Sequence, residues 1–87
     1  MTTSSLDKYL RKTLTRLCAG DGNAYAGEEA INMIKSRNDI KTIIILKNSP
    51  LVDWMVFQAP IRAVDTRSSI GMVLKLLGEE IAVILPN

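Results

Sequence analysis

The chain has 87 residues, 47% hydrophobic and 23% charged, and its 11 Lys and Arg against 9 Asp and Glu give a formal net charge of +2. This composition predicts one small globular domain and excludes wholesale disorder, while the mild positive charge permits contact with nucleic acid without demanding it. The chain has no histidine and one cysteine. It therefore lacks the commonest general base, the commonest metal ligand and any internal disulfide, so we expect no enzyme, no cofactor and no metal.

The first predicted element is a helix that is capped by Ser4 or Ser5 and ends near Cys18. Asp7 lies in its first turn, where a carboxylate favours the helix dipole. The apolar residues of this segment recur at helical spacing, at Leu6, Tyr9, Leu10, Leu14 and Leu17.

A turn, a short strand and a second helix follow. Residues 20–23 read Gly-Asp-Gly-Asn and form a turn by composition. Residues 24–26 are a short strand candidate that Gly27 ends. Two carboxylates in the first turn and helical spacing of the apolar residues then predict a helix over 28–37, broken at 38–39.

The stretch Ile40–Lys47 has four consecutive aliphatic residues, three of them β-branched. A continuous apolar run of this kind is typical of a central strand that is covered on both faces. Ser49 is a candidate cap for a third helix, with Pro50 at its first position and Pro60 near its end. The apolar residues of that helix are Leu51, Val52, Trp54, Met55 and Val56.

The last third of the chain predicts a strand, a helix and a strand. Residues 61–64 alternate and form a short strand, after which Asp65 or Thr66 caps a fourth helix. Gly78 supplies its stop, and residues 81–85 form a final buried strand. The buried stripe of the fourth helix is formed by Ile70, Val73, Leu74 and Leu77.

Strands that alternate with helices predict a sheet with helices on both faces. We therefore expect an α/β fold, a three-layer α-β-α sandwich with a four-stranded mixed sheet, in one domain over residues 1–87. No apolar run approaches the ~20 residues of a membrane helix, and the N-terminus lacks the basic-then-apolar pattern of a signal peptide. A cytoplasmic protein without membrane contact is expected.

The densest basic patch lies on one face of the first helix and consists of Lys8, Arg11, Lys12 and Arg16. Neighbouring cations on a rigid helix favour contact with a polyanion, and a solvated helix face is the alternative. A second polar set follows the strands and starts the next helices, where short side chains suit phosphate oxygens or serve as caps. It consists of Lys47, Asn48, Ser49, Arg67 and Ser68.

The remaining candidates have structural explanations. Glu28 and Glu29 fit the positive end of a helix better than a catalytic pair, because sequence neighbours point to different helix faces. The pair at 79–80 is expected in a solvated turn, and Cys18 is expected as a buried thiol. Gly27 fits either a phosphate-approaching loop or a tight turn. Trp54 and Phe57 fit core packing or an exposed stacking surface.

Three stretches together carry a family resemblance. Gly27 directly follows a short strand and opens a helix, and the buried strand over 41–46 comes at a matching distance. Lys-Asn-Ser-Pro at 47–50 forms a polar-then-proline turn, and the strand at 61–64 leads into Thr-Arg-Ser-Ser-Ile-Gly at 66–71. In this order the chain resembles the superfamily of kink-turn RNA-binding ribosomal proteins, of the L-seven-Ae and L-thirty-e type.

The resemblance implies an α-β-α sandwich that binds RNA as a small structural component of a ribosome (archaeal-type, large-subunit-like) or another ribonucleoprotein particle, with neighbouring ribosomal proteins as possible partners. The expected RNA-binding residues are Lys8, Arg11, Lys12, Gly27, Glu29, Lys47, Asn48 and Arg67. Glu29, Ala30 and Met33 stand where the family's kink-turn readers have Asn, Glu and Lys. A carboxylate and an apolar residue there favour an alternative, a protein-interaction module of the same fold that has lost kink-turn binding.

Overall fold

The computed structural model describes residues 5–50 and 59–87, and these ranges hold three helices and four strands. In chain order the elements are α1 Ser5–Leu17, β1 Asn23–Ala26, α2 Glu28–Ser36, β2 Thr42–Leu46, β3 Ile61–Val64, α3 Ser69–Leu77 and β4 Ile81–Leu85. The predicted third helix, with Trp54 and Phe57, lies outside the described residues. No helix in the described ranges is long and apolar enough to cross a membrane.

The strands form one four-stranded mixed sheet in the order β1-β4-β2-β3. β4 is antiparallel to both of its neighbours, whereas β2 and β3 run parallel. All five residues of β4 are buried, as the continuous apolar run predicted. The prediction of an α/β fold with a four-stranded mixed sheet is confirmed.

The core consists of two clusters, and alternate residues of β2 contribute to each. Ile44 and Leu46 belong to the cluster that α1 and α3 cover, while Ile43 and Ile45 belong to the cluster that includes Ala30 of α2. Because successive side chains of a strand point to opposite faces of a sheet, the two clusters lie on its two sides. Full burial of one such isoleucine stabilises the fold by about 1.5–3 kcal/mol.

Only part of the apolar spacing in α1 is used for burial. Leu10 and Leu14 are buried, whereas Leu6, Tyr9 and Leu17 remain between 42% and 65% exposed. A short helix that covers one side of a sheet buries a narrow stripe, so residues at the margin of that stripe stay in contact with solvent.

The prediction that Asp65 or Thr66 caps the helix after β3 is wrong by two or three residues. The cap is Ser68, whose Oγ accepts a hydrogen bond from the Gly71 N–H at 3.0 Å. Asp65 instead accepts a hydrogen bond from the Arg67 N–H at 2.9 Å and so closes the turn before the helix. The sequence alone does not decide between these caps, because Asp65, Thr66 and Ser68 are all capping residues within four positions and each can satisfy a backbone donor.

Cys18 is buried directly after α1, as predicted. Burial raises the pKa of its thiol, and the nearby Asp21 carboxylate raises it further. A neutral, buried thiol is a weak nucleophile. The side chain therefore acts as a packing residue of the cluster that α1 and α3 cover.

Candidate nucleic-acid interface

Four chain segments meet at one edge of the sheet, because β1, β2 and β3 end there and β4 begins there. Gly27 follows β1, the segment 47–49 follows β2, and the segment 65–68 follows β3. Three backbone hydrogen bonds tie this edge together: Gly27 N–H to Ile81 O at 2.9 Å, Leu46 N–H to Glu80 O at 3.0 Å, and Lys47 N–H to Val64 O at 2.8 Å. The predicted residues Gly27, Lys47, Asn48 and Arg67 thus lie along one edge.

Gly27 is covered by a carboxylate. It links β1 to α2 with φ +74°, in the left-handed region, and a Cβ built on it would overlap the side-chain carboxylate of Glu79. Glu28 and Glu29 begin α2 directly beside it, and both are exposed. A phosphate group that approached the Gly27 turn would therefore meet three carboxylates.

The sequence predicts that both residues 79 and 80 lie in a solvated turn. In the structure Glu80 is exposed, but Glu79 is half-buried. No local pattern reveals this contact, since it joins the end of β1 to the start of β4. Only the pairing of these two strands brings the carboxylate over Gly27.

Arg11 is occupied by contacts within the protein. Its Nε donates to Asp7 Oδ1 at 2.6 Å, and its Nη1 donates to the Ala26 carbonyl at 3.4 Å. The hydrogen bond to Asp7 is the main cause of the raised pKa of Arg11, and the charges of Asp7, Glu29 and Glu79 raise it further. The guanidinium therefore joins α1 to the end of β1 and neutralises part of the acidic group around Gly27.

Lys8, Lys12 and Arg16 form a row on the outer side of α1, which we call the α1 cation row. The three residues are spaced by four and all are exposed, opposite the buried Leu10 and Leu14. Among the described residues none of the three forms an ion pair, in contrast to Arg11. The row extends over about 12 Å, since eight residues of α-helix rise by that distance.

The β2–β3 end of the edge carries a smaller basic group. Arg67 is largely exposed, and its Nη2 lies 3.3 Å from Asp65 Oδ2. The backbone and side-chain hydrogen bonds from Arg67, and then the charge of Lys47, lower the pKa of Asp65. Asn48 adopts φ +70°, which Asn tolerates better than most residues, and turns the chain sharply after β2.

Met33, which stands where the kink-turn ribosomal proteins have a lysine, has a packing role in this protein. Met33 is half-buried and packs against the cluster of Ala30, Ile43 and Ile45. Its side chain therefore belongs to the α2 side of the core and offers no charge to a ligand.

A groove of about 450 Å³ lies between α1 and β1, and we call it the α1–β1 groove. Sequence reasoning missed it, because its walls come from three separate elements. The residues that matter for its chemistry are Arg11, Lys12 and Arg16 from α1, Ala24 and Tyr25 from β1, and Glu29 from α2. The groove thus unites three of the predicted RNA-binding residues, Arg11, Lys12 and Glu29, while Lys47, Asn48 and Arg67 lie at the far end of the sheet edge.

Comparison of the chain with protein-family models, with curated proteins and with solved structures finds no match. The function must therefore be inferred from the residues of this chain and from their geometry.

Proposed function

We propose that this protein binds RNA as a small structural component of a ribosome or of another ribonucleoprotein particle. The observation that carries the proposal is the α1 cation row, in which Lys8, Lys12 and Arg16 stand on successive turns, exposed and without ion pairs among the described residues. The order of motifs that resembles the kink-turn ribosomal proteins supports the same function.

The row suits a polyanion for an electrostatic reason. Each cation that neutralises a phosphate releases condensed counterions, and this release supplies most of the sequence-independent affinity for nucleic acid. A helix holds the three charges in a fixed line, so little additional ordering is required when a phosphate backbone lies across them. Surface cations that are already paired with carboxylates, such as Arg37 with Asp39, contribute less.

The edge of the sheet contributes unequally to such a contact. Its β2–β3 end, with Lys47 and Arg67, adds positive charge, whereas the carboxylates around Gly27 oppose phosphate. The expected contact therefore centres on α1 and extends toward Lys12 and Arg16, away from the Gly27 turn.

The test is whether the native protein carries RNA. The purified full chain should hold ribosomal RNA, or sediment with ribosomal subunits, at low salt and lose it as the salt concentration rises. A protein that stays free of RNA and of ribosomal particles at low salt would contradict the proposal.

A protein-interaction module is the second candidate, and two observations favour it. The Gly27 turn is closed by the carboxylate of Glu79, and Met33 packs into the core. Replacing Lys8 and Lys12 by Glu separates the two functions. The exchange should abolish association with the particle if RNA is the ligand and leave it intact if protein contacts elsewhere on the surface hold the chain.

A further inference from the structure

β3 is an edge strand whose outer side is open to solvent. It stands at one end of the strand order, and β2 is its only neighbour among the described strands. Ile61, Arg62 and Ala63 are all exposed, and Ile61 is 45% exposed although it is apolar. An edge strand of this kind offers unpaired backbone groups, to which an extended segment of another protein can add as a further strand.

The backbone groups that remain available on β3 follow from its pairing with β2. Pro60 and Val64 each accept a backbone hydrogen bond from the β2 side, at 2.9 and 2.8 Å. Alternate residues of a parallel strand face the same neighbour, so Arg62 also faces β2, whereas Ile61 and Ala63 direct their N–H and C=O groups outward. No described residue forms a backbone hydrogen bond with these outward groups. Two donors and two acceptors are therefore available to an added strand.

The two faces of β3 differ in chemistry. Ile61 and Ala63 lie level with the two β2 isoleucines of the cluster that includes Ala30 of α2. Arg62 lies on the opposite face, because successive side chains of a strand alternate. Its charge counteracts the rise in the pKa of the Cys18 thiol, which belongs to the α1 and α3 side. Arg62 forms no ion pair with a described residue, so an added strand meets apolar side chains on one face and an unpaired guanidinium on the other.

The partner that complements β3 alternates apolar and acidic residues. In an antiparallel pairing the residue opposite Arg62 belongs to a non-hydrogen-bonded pair, in which side chains come closest, so a carboxylate is favoured there. The residues on either side of it lie opposite Ile61 and Ala63, where β-branched side chains pack well. A second copy of the chain fits poorly, because antiparallel pairing of β3 with itself places two like charges directly opposite each other at residue 62.

We propose that the free edge of β3 binds an extended segment of another protein as a fifth strand, antiparallel to β3 and with an acidic residue opposite Arg62. The site goes beyond the proposed function, because β3 and β1 lie at opposite ends of the strand order and α1 packs against β1. The α1 cation row thus stays available for RNA while β3 holds a protein partner. Because β3 has only four residues and follows Pro60, the contact is short, weak and reversible.

The test measures binding of the full chain to two fluorescent nonapeptides, which carry Val-Glu-Val or Val-Lys-Val at the centre and serine and threonine elsewhere. We expect the glutamate peptide to bind about tenfold tighter, because it places an opposite rather than a like charge across from Arg62. N-methylation of both valines removes the N–H groups that face the edge and should abolish binding. N-methylation of the central glutamate is the matched control, because its N–H points away from β3.

Two pairs of protein variants test the same contact. Ala63→Pro removes an outward N–H without breaking a bond to β2 and should weaken binding of the glutamate peptide about tenfold, whereas Ala63→Ser keeps this N–H and should bind like the unchanged protein. Arg62→Glu should invert the preference, so that the lysine peptide binds tighter. Lys75→Glu changes the net charge equally on α3 and should leave the preference as it is. Thermal unfolding of each variant shows whether the fold is retained.

Equal affinity for the two peptides, or unchanged binding after N-methylation of the valines, would overturn the inference. Displacement of the peptide by ribosomal RNA would also overturn it and indicate a nucleic-acid contact at this edge. Self-association of the chain in sedimentation velocity that Ala63→Pro abolishes would indicate a second copy as the partner instead. None of these results decides the proposed function, which RNA binding by the α1 cation row tests separately.

Discussion

Replacing Lys8 and Lys12 by Gln removes two adjacent charges of the α1 cation row without disturbing the packed side of the helix. Both side chains are exposed, and neither forms an ion pair with a described residue. Gln and Lys have nearly equal helix propensities, so the stability of α1 should change by only a few tenths of a kcal/mol. Lys35→Gln together with Lys75→Gln is the matched control, because it changes the net charge equally on α2 and α3.

The magnitude follows from counterion release. For a single strand, each neutralised phosphate contributes about 0.7 to the slope of log affinity against log salt. A row of three contacts should therefore lose about 18-fold in affinity between about 50 and 200 mM salt, whereas the variant with one remaining contact should lose about threefold. At about 0.1 M salt the variant should bind about 25-fold more weakly than the unchanged protein.

Filter binding of labelled ribosomal RNA over a salt series measures both quantities. The Lys8 and Lys12 variant should show the weaker binding and the shallower slope, and the Lys35 and Lys75 control should retain most of both. If the two variants lose affinity equally, the contact depends on net charge alone and the α1 cation row is not its centre.

Three further predictions concern the Gly27 turn and the helix cap. Glu79→Gln should strengthen RNA binding about three- to tenfold, whereas Glu80→Gln should change it less, because the Glu80 carboxylate is exposed and more strongly screened by salt. Filter binding compares the two variants, and equal effects would contradict a special role for the carboxylate over Gly27. Gly27→Ala should lower the free energy of unfolding by about 1–3 kcal/mol, because residue 27 has a positive φ and the new Cβ would overlap Glu79. Urea denaturation measures this difference, and an unchanged free energy of unfolding would refute the close contact. Ser68→Ala should cost about 1 kcal/mol in the same assay, whereas Ser69→Ala, one residue into the helix, should cost much less.

The sequence predicted the elements of the described residues well because local patterns determine them. Composition alone predicts two of the strands. β2 is a continuous aliphatic run, and β4 consists of five buried residues. Element ends were less accurate: β2 begins at Thr42 rather than Ile40, and α3 is capped at Ser68. These ends depend on which of several suitable residues is used, and tertiary packing decides that choice.

The candidate site was predicted less completely because its main features are long-range. The exposed lysines of α1 could be identified from the sequence, since a cation opposite an apolar stripe is exposed in most folds. The contact of Glu79 with Gly27 and the position of Glu29 in the α1–β1 groove could not, because each depends on strand pairing or helix placement. Arg11 likewise reads as a surface cation in the sequence, yet its hydrogen bonds to Asp7 and the Ala26 carbonyl engage it within the fold.

These long-range contacts divide the predicted RNA-binding residues into two groups with different roles. The carboxylates of Glu28, Glu29 and Glu79 make the Gly27 end of the sheet edge unfavourable for a phosphate backbone. The α1 cation row lies beside this acidic end, so a bound strand is attracted to α1 and repelled from the turn. The same negative charge that weakens backbone contact at Gly27 thus confines a bound strand to α1, and Glu29→Gln should increase the total affinity for RNA because it relieves this repulsion.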